Sequence, residues 1–290
     1  MRKPVFADAH AHSSPEGLGA YKVASRFREH GGWFMALVML PPWHYGVRLS
    51  PKNLVEGYSK AIEIFLGECN AAREAGIKVS CLAGFHPAEV DKLIGIGVKL
   101  EDVLALAEQV LEMEASLCRK GIIQGIGEVG RQHYKTMPER VAIATSVMIK
   151  AFEYARDYNC LVHLHLENAG YVTVRTVNDL ARLIGVAPRL VVFHHASLRV
   201  AESAENNGYY TTLPGKKELL SRAFSKKIPI ETLLIESDYI DDPRRPCVSS
   251  CPWEIVENEL ALIREGVVDE ETLFRINVDN VVKYYGIEPP

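Results

Sequence analysis

The stretch Val5-Phe6-Ala7-Asp8-Ala9-His10-Ala11-His12 opens on apolar residues and then alternates small with polar ones. Side chains along a strand point to opposite faces in turn, so Asp8, His10 and His12 share one side and the three alanines the other. Two imidazoles one strand step apart can grip a single divalent ion, and the alanines leave room for neighbouring backbone. As ordinary interior histidines, the same rings each need separate hydrogen-bond partners inside an apolar strand, a costlier arrangement. This predicts a buried strand near Val5 to His10 with metal-competent residues at its C-terminal end.

The same pattern recurs along the chain. Short runs rich in Val, Ile and Leu lie near Trp33 to Leu40, Lys78 to Phe85, Ile122 to Glu128 and Leu161 to His165. Three more lie near Leu190 to His194, Tyr209 to Leu213 and Thr232 to Ser237. Between them, Leu54 to Ala75, Leu100 to Cys118, the segment opened by Pro138, and Val172 to Ile184 have helical periodicity, while Ser197 to Asn206 is short and polar. Eight strands, each followed by a helix, describe an α/β protein of the (β/α)8 TIM-barrel class, one domain over residues 1–290; a doubly wound open sheet of this size has fewer strands. The tail from Trp253 to Tyr285 carries two helical patterns separated by Gly266 to Asp269, with Asp269 placed to cap the second.

Composition narrows the function. The 290 residues are 48% hydrophobic and 24% charged, enough apolar mass for a sizeable core, which excludes a disordered chain. Lys+Arg number 33 against 37 Asp+Glu, a net charge of -4 that argues against a protein coating nucleic acid or a cationic membrane binder. A local pocket for a phosphate ester is compatible with it. The longest apolar run, Trp33 to Leu40, stops at Pro41-Pro42, short of the roughly 20 residues needed to span a bilayer. Met1-Arg2-Lys3-Pro4 lacks the apolar core of a secretory signal, so a cytoplasmic location is expected. None of the six cysteines forms a C-x-x-C pair, which disfavours a cysteine zinc site. They are expected to be small buried hydrophobes, with Cys247 and Cys251 as two free thiols in a reducing cytosol and a local disulfide as the alternative.

Polar residues cluster at the predicted strand ends, the face where such barrels carry active sites. His86 ends Gly84-Phe85-His86-Pro87, and Glu128 sits in Gly125-Ile126-Gly127-Glu128-Val129-Gly130. A carboxylate at the end of a buried strand is costly unless a cation compensates it. His163 and His165, then His194 and His195, offer two candidate ligands each, and spacing alone does not choose between them. Asp238 is the natural last ligand or a base, and Glu236, on its side of the strand, is placed to pair with a cation. The set suffices for two ions bridged by one carboxylate.

These segments resemble the TatD-like metal-dependent hydrolases of the amidohydrolase superfamily, in the family's order over nearly the full chain. The matching pieces include Asp8-Ala9-His10-Ala11-His12, Gly84-Phe85-His86-Pro87, Gly127-Glu128-Val129-Gly130, His165-Leu166-Glu167-Asn168-Ala169, Val192-Phe193-His194 and Leu234-Ile235-Glu236-Ser237-Asp238. The resemblance implies that His10, His12 and Asp238 hold one ion, Glu128 bridges, and His165 and His194 hold a second. Asp238, His86 and Glu128 are then the catalytic candidates, and Arg131, His195, Arg199 and Arg244 the candidate substrate contacts. One or two divalent ions are expected, zinc foremost, with manganese, cobalt or magnesium as alternatives. The expected activity is that of a phosphodiesterase or deoxyribonuclease acting on a small-molecule or nucleic-acid phosphoester. Cleavage of C-N or C-O bonds, as by an amidase, deaminase or lactonase, is the alternative, and a catalytically silent binding barrel the third. The chain departs from the nuclease pattern at Glu167, at Arg131-Gln132 and at His195-Ala196-Ser197, all in loops that face substrate.

Overall fold

Eight parallel strands follow one another in sequence order around a single sheet. They are β1 (Phe6–Ala11), β2 (Gly32–Val38), β3 (Lys78–Ala83), β4 (Gly125–Gly130), β5 (Leu161–His165), β6 (Val191–Phe193), β7 (Tyr210–Pro214) and β8 (Leu233–Glu236). The computed structural model describes residues 5–245 and 247–290, so Met1-Arg2-Lys3-Pro4 lies outside the described residues. The chain after β8 returns to β1: Asp238 N–H donates to His10 O at 3.0 Å and His12 N–H to Tyr239 O at 2.8 Å. The sheet thus curls into the expected (β/α)8 TIM barrel, and the strands are buried because helices cover their outer face.

The helices Leu54–Glu74, Leu100–Arg119, Pro138–Tyr158 and Tyr171–Ile184 match the predicted periodic stretches to within a residue or so. The short polar segment forms a helix at Leu198–Glu205, capped by the Ser197 hydroxyl, and Asp269 accepts the Thr272 N–H at 2.7 Å to cap Glu270–Phe274. One boundary differs in kind. Ile122 does not begin a strand; its N–H closes the end of the preceding helix on Leu117 O, so β4 starts at Gly125.

Two glycines let the strands that carry the site come together. A Cβ on Gly127 would lie 2.7 Å from that of His163, and one on Gly130 2.1 Å from His165 O. The C-terminal segment is tied back onto β1 by the Ala7 N–H to Asn277 Oδ1 bond at 2.8 Å and by Tyr285 O–H to Ala9 O at 2.7 Å.

The expectation of free cysteines is corrected. The six sulfurs form the pairs Cys69–Cys81, Cys118–Cys160 and Cys247–Cys251. The first links a helix to β3 and the second joins positions 42 residues apart, so neither pairing shows as a spacing pattern in the sequence. Among the described residues, no helix is long and apolar enough to cross a membrane.

Behind β3 and β4 lies a pair of buried acids. Burial, opposed by hydrogen bonds from Tyr58 O–H and His86 N–H, pushes Glu89 up to about 8. Glu114 has both carboxyl oxygens without a partner, and burial together with Glu89 raises it well above its ordinary value. In the folded chain Glu114 therefore keeps its proton, whereas the unfolded chain ionises near its ordinary value of about 4.5. Its contribution to stability is undiminished in acid and declines as pH rises from there toward the raised value. Glu114→Gln is expected to match wild type closely in urea unfolding at pH 4 and to be the more stable of the two at pH 8, by a margin that widens with pH. A difference that does not grow with pH would contradict this.

Candidate metal centre

Glu128, at the end of β4 and 3% exposed, is the hub of the barrel mouth. Its Oε1 lies 2.8 Å from His10 Nε2, 3.2 Å from His12 Nε2 and 3.5 Å from His194 Nε2. Its Oε2 lies 2.9 Å from His165 Nδ1 and 3.0 Å from His86 Nε2. Asp238 Oδ1 stands 3.8 Å from His12 Nε2. The six residues expected as metal ligands therefore meet at one end of the barrel, because each sits at or just past the C-terminal end of its strand. Period-two alternation turns His10 and His12 to the same side of β1.

Hydrogen bonds behind the rings decide which nitrogens face inward with lone pairs. His12 Nδ1 donates to Val38 O at 2.8 Å, so a neutral His12 presents a bare Nε2 to Glu128. For His10 the same result comes through a relay. Tyr285 O–H donates to Ala9 O, which leaves its oxygen to accept from His163 Nε2 at 3.2 Å. His163 Nδ1 then accepts from His10 Nδ1 at 3.0 Å, and His10 Nε2 is left bare, 2.8 Å from Glu128 Oε1. His194 has a similar layout, with Nδ1 2.9 Å from Glu236 Oε2. His86 is the exception. Its Nδ1 accepts the Ala88 N–H at 3.0 Å as a helix cap, so Nε2 carries the hydrogen that faces Glu128.

Lone pairs aimed at carboxylate oxygens repel unless positive charge lies between them. Burial depresses the pKa of His10 despite Glu128 beside it, which keeps the ring neutral. Burial would lower His12 too, but Asp238 and Glu128 outweigh it and push it up to about 10. Against burial, the surrounding imidazoles hold Glu128 well below the usual carboxylate range. Without an ion, the extra proton of His12 supplies the positive charge between the two carboxylates; a metal cation bound there would take its place, and the donor atoms are close enough to share one. Those of His10, His12 and Glu128 lie within 4.8 Å of one another, as do those of His86, Glu128 and His165. Imidazole with carboxylate suits a divalent transition ion.

The other predicted residues divide. His195 stands at the rim beside the centre, its Nε2 3.2 Å from His165 Nδ1. Arg131 is turned to Glu167 in a two-point pair at 2.9 and 2.7 Å. Arg199 is exposed and lines a flanking groove of about 660 Å³ with Asn168, Tyr171 and Glu202. Arg244 grips Asp242, with its side chain 81% exposed. Asp8 faces β8, accepting from Ser237 N–H and O–H at 2.9 and 2.5 Å. Glu236, expected to pair with a cation, contacts His194, whose ring is held neutral by burial. The backing role of His163 fits its place as the unchosen histidine of its pair, but no sequence pattern marks the backing role of Tyr285 or Ser249, whose hydroxyl donates to Asp238 Oδ2 at 2.9 Å, nor His133, which stacks on His165 from the loop after β4. Loop residues have no periodicity, and a backing residue is defined only by what it touches.

Comparison with known proteins agrees with this fold. An uncharacterized protein of Methanocaldococcus jannaschii is 28% identical over 285 residues, 97% of this chain and 95% of that protein. The crystal structure of a TatD-like protein from Archaeoglobus fulgidus superposes with a TM-score of 0.62 at 16% identity, covering 97% of this chain and all of the other. An organophosphorus hydrolase from Deinococcus radiodurans gives 0.62 at 12% identity over 98% of this chain and 92% of its own. At such identities the likeness is one of fold. Residues 7–286, from β1 to the end of the last helix, match the family described as TatD related DNase, and the chain belongs to that family.

Proposed function

We propose that the chain is a divalent-metal-dependent hydrolase of phosphoester bonds, with His10, His12 and Asp238 holding one cation, His165 and His194 a second, and Glu128 between them. The observation that carries this is the convergence of five imidazoles on one buried carboxylate, with His10 presenting a bare nitrogen to it and Asp238 close by, a donor set that a divalent cation would satisfy. Zinc fits the donor set best, with manganese and cobalt next and magnesium less favoured. Bound there, such cations lower the pKa of water and polarise the oxygen of the scissile bond.

The chain's own groups handle the protons. Burial would raise the Asp238 carboxyl, but His12 more than offsets this and holds it below its ordinary value, so it is ionised near neutrality. With Oδ2 fixed by the Ser249 hydroxyl and its side chain 21% exposed, Asp238 is placed to take the proton of an attacking water. His86, with its hydrogen on Nε2 and a side chain 20% exposed, can donate to a phosphoryl oxygen or to the leaving group. A second activity, cleavage of C-O or C-N bonds in less charged substrates, is favoured by the Arg131–Glu167 pair, which leaves imidazole rather than guanidinium facing the mouth.

Purified protein loaded with Zn²⁺, Mn²⁺ or Co²⁺ is expected to hydrolyse bis-p-nitrophenyl phosphate and labelled oligonucleotides; activity confined to a panel of lactones and cyclic amides would establish the second activity instead. Glu128→Gln is expected to lower turnover by more than about 100-fold and to lower bound metal, since ligand-backing residues alone account for roughly 10–100-fold. Unchanged metal content and rate would remove Glu128 from the centre. Tyr285→Phe keeps the ring and deletes the acceptor that fixes the His163 and His10 tautomers, so metal affinity should fall about 10-fold or more. An unaltered Kd in a metal titration would show that the relay does not set the His10 tautomer.

A further inference from the structure

Two further imidazoles, His133 and His195, crowd His165 at the rim of the mouth, and nothing among the described residues accounts for them. His133 stacks on His165 with ring centroids 4.6 Å apart and planes at 28°, and its ring meets His195 at 5.5 Å. His195 Nε2 lies 3.2 Å from His165 Nδ1. One donor atom from each of the three falls within 4.8 Å of the others. Among the described residues the His133 ring makes no hydrogen bond, and the His195 ring makes none except to His165. The backbone at His195 is left-handed, φ 42°, a conformation that costs a non-glycine residue. It is held there by its N–H to Glu236 Oε1 at 2.8 Å, and the ring reaches the rim because of it. The one arginine in the adjoining loop, Arg131, is neutralised by Glu167.

We propose that His133 and His195 form a further cation site at the rim, outside the Glu128 centre, with His165 as the shared wall between the two. His165 Nδ1 is 2.9 Å from Glu128 Oε2 and 3.2 Å from His195 Nε2, so it serves one cation at a time. His133 and His195 are the rim's own donors, and solvent completes the coordination. The donors are all nitrogen, which selects Zn²⁺, Co²⁺ or Ni²⁺ and rejects Mn²⁺ and Mg²⁺. The site binds more weakly than the Glu128 centre because it supplies no carboxylate.

The test counts ions by equilibrium dialysis and elemental analysis of the apoprotein titrated with Zn²⁺, for wild type and His133→Gln. His133 is exposed and hydrogen-bonds nothing, so this variant leaves the fold and the Glu128 centre intact; His195→Gln provides a second variant. Wild type is expected to take up one more Zn²⁺ than either variant, in a weaker binding class, and the same number of Mn²⁺ as both. Equal Zn²⁺ counts, or a variant that loses two ions, would overturn the rim site. Failure of wild type to bind any divalent ion would overturn the metal centre itself, a distinct outcome.

Discussion

The structure depends on one electrostatic constraint: the carboxylate of Glu128 is buried among five imidazoles, of which His10 turns its hydrogen away and His86 aims one at it. A buried anion is tolerated only beside compensating positive charge. Here the compensation is not a nearby lysine or arginine. Val38 O fixes His12, and a chain from Ala9 O through Tyr285 and His163 fixes His10, so that Nε2 of each ring faces the anion. Both chains end on backbone carbonyls of the barrel itself, which cannot change protonation. The donor geometry is therefore built into the strands, and the demand for positive charge follows from the fold.

The barrel achieves this by putting short side chains where strands must approach and long ones where they diverge. Ala7, Ala9 and Ala11 fill the buried positions alternating with Asp8, His10 and His12, and Gly127 and Gly130 let β4 lie against β5 beneath His163 and His165. Asp8 adds a second tie. Burial pushes it up to about 7, yet it accepts two bonds from Ser237 and so clamps β1 to the end of β8, where Asp238 begins the turn toward the site. Closure of the cylinder and assembly of the centre are the same event.

Much of this was legible in the sequence because alternation along strands and periodicity along helices are local signals. The barrel, the gathering of metal-competent residues at its strand ends and the capping role of Asp269 follow from such patterns, whereas the choice of His165 over His163 and of His194 over His195 rested on the family resemblance. What was not legible depends on contacts between distant segments. The disulfides pair a helix with a strand, or residues 42 positions apart. Arg131 and Glu167 look like two separate loop charges until the fold sets them 2.7 Å apart. Tyr285 reads as part of a closing helix, and only its position behind His163 gives it a part in the centre.

The Arg131–Glu167 pair also bears on specificity. A guanidinium fork free at the mouth would favour dianionic or polyanionic substrates by bidentate hydrogen bonding. Tied to Glu167 and Thr176, it presents little free charge, and the groups left facing the mouth are His86, His133 and His195. Imidazoles recognise oxygen by single hydrogen bonds and, when neutral, add no net charge. Burial lowers His195 and His133 from their ordinary values, with the charges of neighbouring histidines adding to the effect, so both rings are neutral near pH 7. On the proposed function, the pull on a polyanion comes from cations at the Glu128 centre rather than from basic side chains. Substrate selection would then be coupled to metal loading more tightly than in a site lined with arginine.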